Sequence, residues 1–279
     1  MAVLLSYHRL IEKDSRNVNY CWKASIIAAL VVAIGSSLVI SFSMASLSES
    51  FNEHCFMNAT LFMERRKNDS DQDEFEMQAN LTYQNYSINE HKSSWSRHEF
   101  CEYLTYTPLV HALAGVIWLA LFTMHGHGGK GIGSIIPKPW RIVIPSLLFF
   151  LVCLISAMVS ASRTTDGLRG LCRQFDQVPG GTNLECGALL DFYSLEDVRG
   201  ELIAPDKNYY LLASFPWIWV TSYVCAAVIL VLRIILVVDF QLIRVIISTV
   251  EPSRADDLNE NQLQSYELVV ETVSNEAAL

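Results

Sequence analysis

Residues 125–131 read HGHGGKG, where Gly126, Gly128 and Gly131 have the spacing of a dinucleotide-binding loop and His125, His127 and Lys130 add metal-ligating rings and a phosphate-seeking ammonium. Such a loop cradles phosphate only where a strand enters it and a helix opens from it, so that backbone N–H groups converge at the helix N-terminus. Here an apolar run comes before and GIGSIIPKPW after, so neither flank is supplied. Lys130 is followed by Gly131 rather than Ser or Thr, which removes the P-loop ending. Two histidines without a matching cysteine pair are too few for a structural zinc site. The segment reads as a turn that keeps Lys130, Lys138 and Arg141 near anionic headgroups. The chain also lacks an HExxH helix, a GxSxG elbow and the kinase motifs. No catalytic residue, cofactor or metal ligand is assigned, and no nucleic-acid partner is expected.

Three other groups have the right chemistry for a role. His111 lies inside an apolar run, and an ionisable side chain at membrane depth is a candidate proton relay or ligand contact; its bland role is a hydrogen bond to water or a neighbouring helix near the outer interface. His54, His91, His98 and Glu99 would support an enzymatic reading only if the fold made them converge. Tyr266-Glu-Leu-Val269 has the tyrosine-x-x-apolar form of a clathrin-adaptor sorting signal, in a tail where capture as an extended strand is feasible. It is also short enough to arise by chance.

The elements that would position these groups are membrane spans. Apolar residues make up 51% of the 279, and they gather into four runs, 24–45, 107–124, 142–162 and 210–232, each near the roughly 20 helical residues that cross a hydrocarbon core. No run alternates with period two, so each satisfies its backbone as a helix rather than in a barrel. The expected fold is all-α, a bundle of four transmembrane helices. Residues 1–23 form an N-terminal segment with Arg9, Lys13, Arg16 and Lys23, and the first run acts as a signal anchor. The basic turn 125–141 contains no acid, whereas the loop 46–106 carries eleven acids against five basic residues. Basic short segments stay in the cytosol, so both termini and the turn are expected inside, with 46–106 and 163–209 as outer loops.

Sequons and cysteines agree with that orientation. Asn58, Asn68, Asn80 and Asn85 each begin an Asn-x-Ser/Thr sequon, and all four fall in the first outer loop. Cys55, Cys101, Cys172 and Cys186 fall in the two outer loops, an even number that suits an oxidising compartment. Pairing near neighbours, Cys55 with Cys101 and Cys172 with Cys186, costs the least loop-closure entropy. A pairing between the loops stays open. Cys153 and Cys225 fall within spans as packing thiols, and Cys21 is placed for palmitoylation.

Small residues at Ala29, Ala33 and Ser37, and at Ser156, Ala157, Ser160 and Ala161, permit close helix contact within the bundle or with another protein's helices. Residues 233–250 continue apolar with Asp239, Gln241 and Arg244 interrupting, and read as a helix extension or an interfacial helix. Residues 251–279 are acidic and polar, the composition of a disordered cytosolic tail.

The loops permit a comparison of four-pass families. Claudins and calcium-channel gamma subunits carry a Gly-Leu-Trp that this chain lacks, and tetraspanins a Cys-Cys-Gly where this chain has only Cys186-Gly187. With Cys55-x-x-Asn58-Ala-Thr60-Leu in the first loop, Cys101 before the second helix, Trp118 within it, and Cys172 and Cys186 in the second loop, residues 24–240 resemble the transmembrane protein 179 family of four-pass proteins. That resemblance implies no known activity. The expected role is that of a non-enzymatic adaptor, auxiliary subunit or membrane organiser of the plasma membrane or secretory endomembranes, in contact with the lipid bilayer and with a membrane-protein partner or itself. A small transporter or channel using the bundle interior near His111 is the alternative, and an integral-membrane enzyme the second.

Overall fold

A computed structural model describes residues 2–13, 18–65, 86–124, 140–177, 186–193, 205–249 and 266–272. In chain order these form β1 (Ala2–Glu12), α1 (Tyr20–Glu49), β2 (Cys55–Thr60), β3 (Met63–Arg65), β4 (Tyr86–Ile88), β5 (Ser94–Ser96), α2 (His98–Met124), α3 (Trp140–Phe175), α4 (Cys186–Tyr193), α5 (Pro205–Ile235), β6 (Phe240–Thr249) and β7 (Tyr266–Thr272). The chain is mostly helical, and the strands are an addition to the all-α expectation.

Helices α1, α2, α3 and α5 contain the four apolar runs, with 18-residue windows of mean hydropathy 2.4, 1.7, 2.8 and 2.2. Only 39%, 28%, 33% and 44% of those windows is buried inside the chain. The remainder, including Val31, Leu38, Leu113, Ile117, Val152 and Ile155, faces outward. In water that apolar surface would be unfavourable by about 25 cal/mol per Å², whereas hydrocarbon removes the penalty. All four helices are long and apolar enough to cross a membrane, which defines the chain as a multi-pass membrane protein. At 1.5 Å per residue they run roughly 40–54 Å, beyond the ~30 Å core, so their ends project from it.

Inside the bundle, α1 packs along α2 and α5, and α3 packs along α5, while α2 and α3 meet sparsely. Small residues set the close approaches. A Cβ added to Gly115 would stand 2.9 Å from Cγ1 of Ile34, so α2 rests its bare backbone against α1. Ala33, Ser37, Ala157, Ser160 and Ala161 are buried within this chain, which occupies those faces without a second protein. Across the α2–α3 gap lie large rings instead: Trp118 has its centroid 5.3 Å from Phe149, and Phe122 stacks on Phe150 at 6.5 Å.

The terminal segments depart from what the sequence suggests. Helix α5 stops at Ile235, a turn over Leu236–Asp239 reverses the chain with Val237 at φ 50°, and β6 follows where an extended or interfacial helix is expected for 233–250. The reason is composition: Ile243, Val245, Ile246 and Ile247 are β-branched and lose side-chain freedom in a helix, and β1 offers them a partner. β1 pairs antiparallel with β6, Ala2 opposite Thr249 through Glu12 opposite Phe240. β7 then adds to the other side of β6, Ile243 opposite Thr272 through Thr249 opposite Tyr266. Part of the tail expected to be disordered is thus the third strand of a sheet in the order β1-β6-β7.

Candidate functional site

At one end of the bundle the two loops form a cap. β2 lies against α3 and leaves Phe51, Phe56 and Met57 fully buried, with Phe51 stacked on Phe56 at 5.3 Å and tilted against Trp95 at 6.3 Å. Gly167 of α3 allows this, since a Cβ there would meet the Met57 side chain. Gln174 of α3 completes the join: its Oε1 accepts from Leu61 N at 2.6 Å and its Nε2 donates to Ala59 O at 2.6 Å. Disulfides link Cys55 to Cys101 and Cys172 to Cys186. The near-neighbour pairing therefore holds, and the loops are joined by packing and by Gln174 rather than by a covalent bond.

Asn58 is exposed on β2 with φ 57°, between buried Met57 and Ala59. Asparagine tolerates this left-handed conformation better than most residues, which suits it to hold an outward-pointing acceptor amide there. Asn68, Asn80 and Asn85 lie outside the described residues, as does the HGHGGKG turn.

The histidines of the cap do not converge. His54 Nε2 meets Glu90 Oε1 at 2.7 Å and its ring stacks on Trp95 at 4.8 Å, while His98 pairs with Glu102 at 3.4 Å one turn along α2. His91 and Glu99 are exposed. Among the described residues no three His, Cys, Asp or Glu side chains are arranged to hold a metal. The cap does contain a cleft of about 390 Å³ between the ends of α1 and α2, lined by Glu49, Glu53, His98, Glu102 and Tyr106. It is not legible in the sequence, because residues some fifty positions apart meet there through the packing of α1 along α2 and the Cys55–Cys101 link.

His111 sits in the middle of the bundle. Its ring meets Trp219 edge-on at 5.0 Å and Tyr223 at 5.8 Å, and Tyr223 lies 6.2 Å from Phe150. His111 Nδ1 and, on α1, Ser43 Oγ are buried without a hydrogen-bond partner, and the Tyr223 hydroxyl stands beside Trp219 Nε1. Each such orphan costs about 1–3 kcal/mol, more where hydrocarbon replaces water. Four buried hydroxyls are satisfied within their own helices: Ser36 Oγ donates to Val32 O at 2.8 Å, Ser37 Oγ to Ala33 O at 2.6 Å, Ser146 Oγ to Val143 O at 2.9 Å and Ser222 Oγ to Ile218 O at 2.8 Å. Pro108 and Pro216 stand three residues before His111 and Trp219 and lack the N–H that the carbonyls of Leu104 and Leu212 would otherwise accept. The sequence singles out His111; its partner Trp219 looks like any lipid-facing aromatic until the fold turns it inward.

At the opposite end Arg233 and Asp239 are 2% and 0% exposed. Arg233 Nε donates to both carboxylate oxygens at 3.0 Å and Nη2 to Oδ1 at 2.6 Å. Asp239 O accepts from Lys13 N at 2.7 Å, Trp140 N donates to Glu12 Oε1 at 3.1 Å, and the Trp140 ring meets Phe240 at 5.2 Å. The sheet is thus fastened to the ends of α3 and α5. Tyr266 and Val269 of β7 pair through the backbone with Thr249 and Ile246 of β6, so the YELV segment is extended as expected yet engaged on one edge.

Compared with family models, with curated proteins and with solved structures, the chain found no match.

Proposed function

We propose that this chain is a membrane glycoprotein that acts by contact, as an adaptor, auxiliary subunit or membrane organiser, rather than by turning over or passing a substrate. The cap carries this reading. It joins both loops into one disulfide-fixed surface at one end of the bundle, while the ring packing around His111 fills the interior that a solute path would need. In this account the cap is outside the cytosol with glycans at Asn58, Asn68, Asn80 and Asn85, and the sheet is cytosolic. The host membrane is the plasma membrane or a secretory endomembrane. Tyr266 and Val269 serve a clathrin adaptor once β7 leaves β6, because adaptor capture and β6 both require the strand's backbone.

The test is photo-crosslinking in intact cells from the exposed positions Asn52 and Glu53 of the cap, alongside lipid-facing Leu113 as control. Discrete protein adducts from the cap, lost when both disulfides are removed, are expected. Absence of cap adducts, together with solute flux through liposomes holding the purified protein, would overturn the reading in favour of transport.

A further inference from the structure

The sheet end of the bundle coincides with the edge of the hydrocarbon. The apolar runs end there at Ala24, Met124, Ile142 and Leu232, whereas the longest helical overhangs, residues 98–106 of α2 and 163–175 of α3, project at the cap. Ile235 closes α5 about 5 Å beyond Leu232 at 1.5 Å per residue, within a headgroup layer of roughly 5–8 Å per side. Tyr20 and Trp22 of α1 and Trp140 of α3 stand at the same helix ends, as the amphipathic rings of a membrane interface do. The sheet is tied to that level. The Trp140 ring meets Phe240 at 5.2 Å and Trp140 N donates to Glu12 Oε1 at 3.1 Å, which keeps the end of β1 and the start of β6 beside it.

What these segments expose is apolar. Ile235, Leu236 and Val237 are 66%, 60% and 42% exposed, and Leu10 and Ile11 of β1 are 59% and 38% exposed. They prolong the outward face of α5 at Val228, Val231 and Leu232, the face that lipid covers. Val237 is β-branched yet held at φ 50°, where a turn facing water would favour Gly or Asn. Charge points the same way. Arg9, Lys13, Lys23 and Arg141 surround this end, and the described acids beside them are engaged, Glu12 by Trp140 N and Asp239 by Arg233. Arg244 stands opposite Glu271 in the strand register, which leaves the excess positive.

We propose that the turn over Leu236–Asp239 and the adjoining ends of β1 and β6 form a membrane-interface anchor. Its apolar side chains enter the boundary between headgroups and acyl chains, and its cations meet anionic phospholipid headgroups of the adjoining leaflet. The β1-β6-β7 sheet is thereby seated on the bilayer. This lipid contact does not depend on the contact role of the cap.

The full-length protein carrying Cys21→Ala, Cys153→Ala and Cys225→Ala, with both disulfides kept, is spin-labelled through Leu236→Cys or Leu10→Cys in nanodiscs of phosphatidylcholine with phosphatidylserine. Power-saturation electron paramagnetic resonance compares collisions with oxygen, which partitions into lipid, and with a water-soluble nickel chelate. The anchor predicts several-fold less nickel access at both positions than at Glu53→Cys on the cap, with Leu113→Cys as the lipid reference. Nickel access at Leu10→Cys should rise when phosphatidylserine is left out, and Arg9→Gln with Lys13→Gln should abolish that difference. Should the labelled chains fail to fold, a phosphatidylserine with a photoactivatable group near its glycerol should mark the tryptic peptide 234–244 of the unmodified chain. Nickel access equal to that at Glu53, indifference to phosphatidylserine, spin–spin broadening between two chains in place of oxygen access, or no lipid adduct on 234–244 would overturn the anchor.

Discussion

Removing one partner of the Arg233–Asp239 pair should be among the most damaging single changes in the chain. At roughly 2.8 Å and an effective dielectric near 20, the gross attraction is about 6 kcal/mol. Desolvating two ions costs several kcal/mol each, so the intact pair contributes little net stability. Asp239→Asn removes the attraction but leaves the guanidinium at 2% exposure, and a stranded buried charge of this kind costs about 3–5 kcal/mol. The loss should be local first: amides of β1 and β6 should exchange faster, because Lys13 N bonds to Asp239 O and the turn over Leu236–Asp239 starts β6. Reversible unfolding of the purified protein in mild detergent, followed together with amide hydrogen exchange, reads both effects. Arg233→Met with Asp239→Leu removes both charges and should recover most of the loss, and added salt should change little because buried pairs are poorly screened. If Asp239→Asn is within about 1 kcal/mol of wild type, or the double variant is as unstable as the single, the assignment of this pair as the sheet's anchor is refuted.

Chain-entropy reasoning puts the Cys55–Cys101 link, with a separation of 46, at about 4 kcal/mol and the Cys172–Cys186 link, with a separation of 14, at about 3 kcal/mol. Cys55→Ser should free Cys101 to thiol reagents without exposing Cys172, and reactivity at Cys172 would contradict the pairing. Thr60→Ala should remove one glycan increment on a gel with little loss of stability, because Asn58 keeps the left-handed backbone that Asn58→Gln would strain; an unchanged gel position would show that Asn58 carries none. Gly115→Val should cost about 1–3 kcal/mol through overpacking against Ile34, read by the unfolding midpoint. Tyr266→Ala should slow internalisation and raise the surface fraction, and an unchanged uptake rate removes the sorting role from β7.

Apolar run length carried most of what the sequence reveals. The four spans, the near-neighbour disulfides and the odd position of His111 are each local or follow from short-range entropy, and each is legible from residue type and spacing. The helix ends are less so. α3 continues to Phe175 through Arg163, Asp166, Gly167 and Gly170 because β2 packs on it, with Met57 against Gly167 and Gln174 bonded to Leu61 and Ala59. No window around residue 167 contains that information. The terminal sheet is harder still, since β1 and β6 are more than two hundred residues apart and a run such as IRVIIST suits a strand or an interfacial helix equally until a partner is given. Asp239 breaks the apolar pattern of its segment, and only the fold reveals that it is there for Arg233. Trp219 was hidden for the same reason: its orientation depends on α5 packing against α1 and α3, which sequence periodicity in lipid does not resolve.

In the orientation we propose, the chain crosses the membrane four times with the cap outside and β1, β6 and β7 inside. The most direct test of this orientation places one epitope before Ala2 and another after Thr272 in the same chain and stains intact and permeabilised cells, with glycosidase shift read in parallel. Both epitopes should be silent until permeabilisation while the chain carries glycosidase-sensitive glycan. Staining of either epitope on intact cells, or a chain without glycan in a secretory-competent cell, would contradict this orientation.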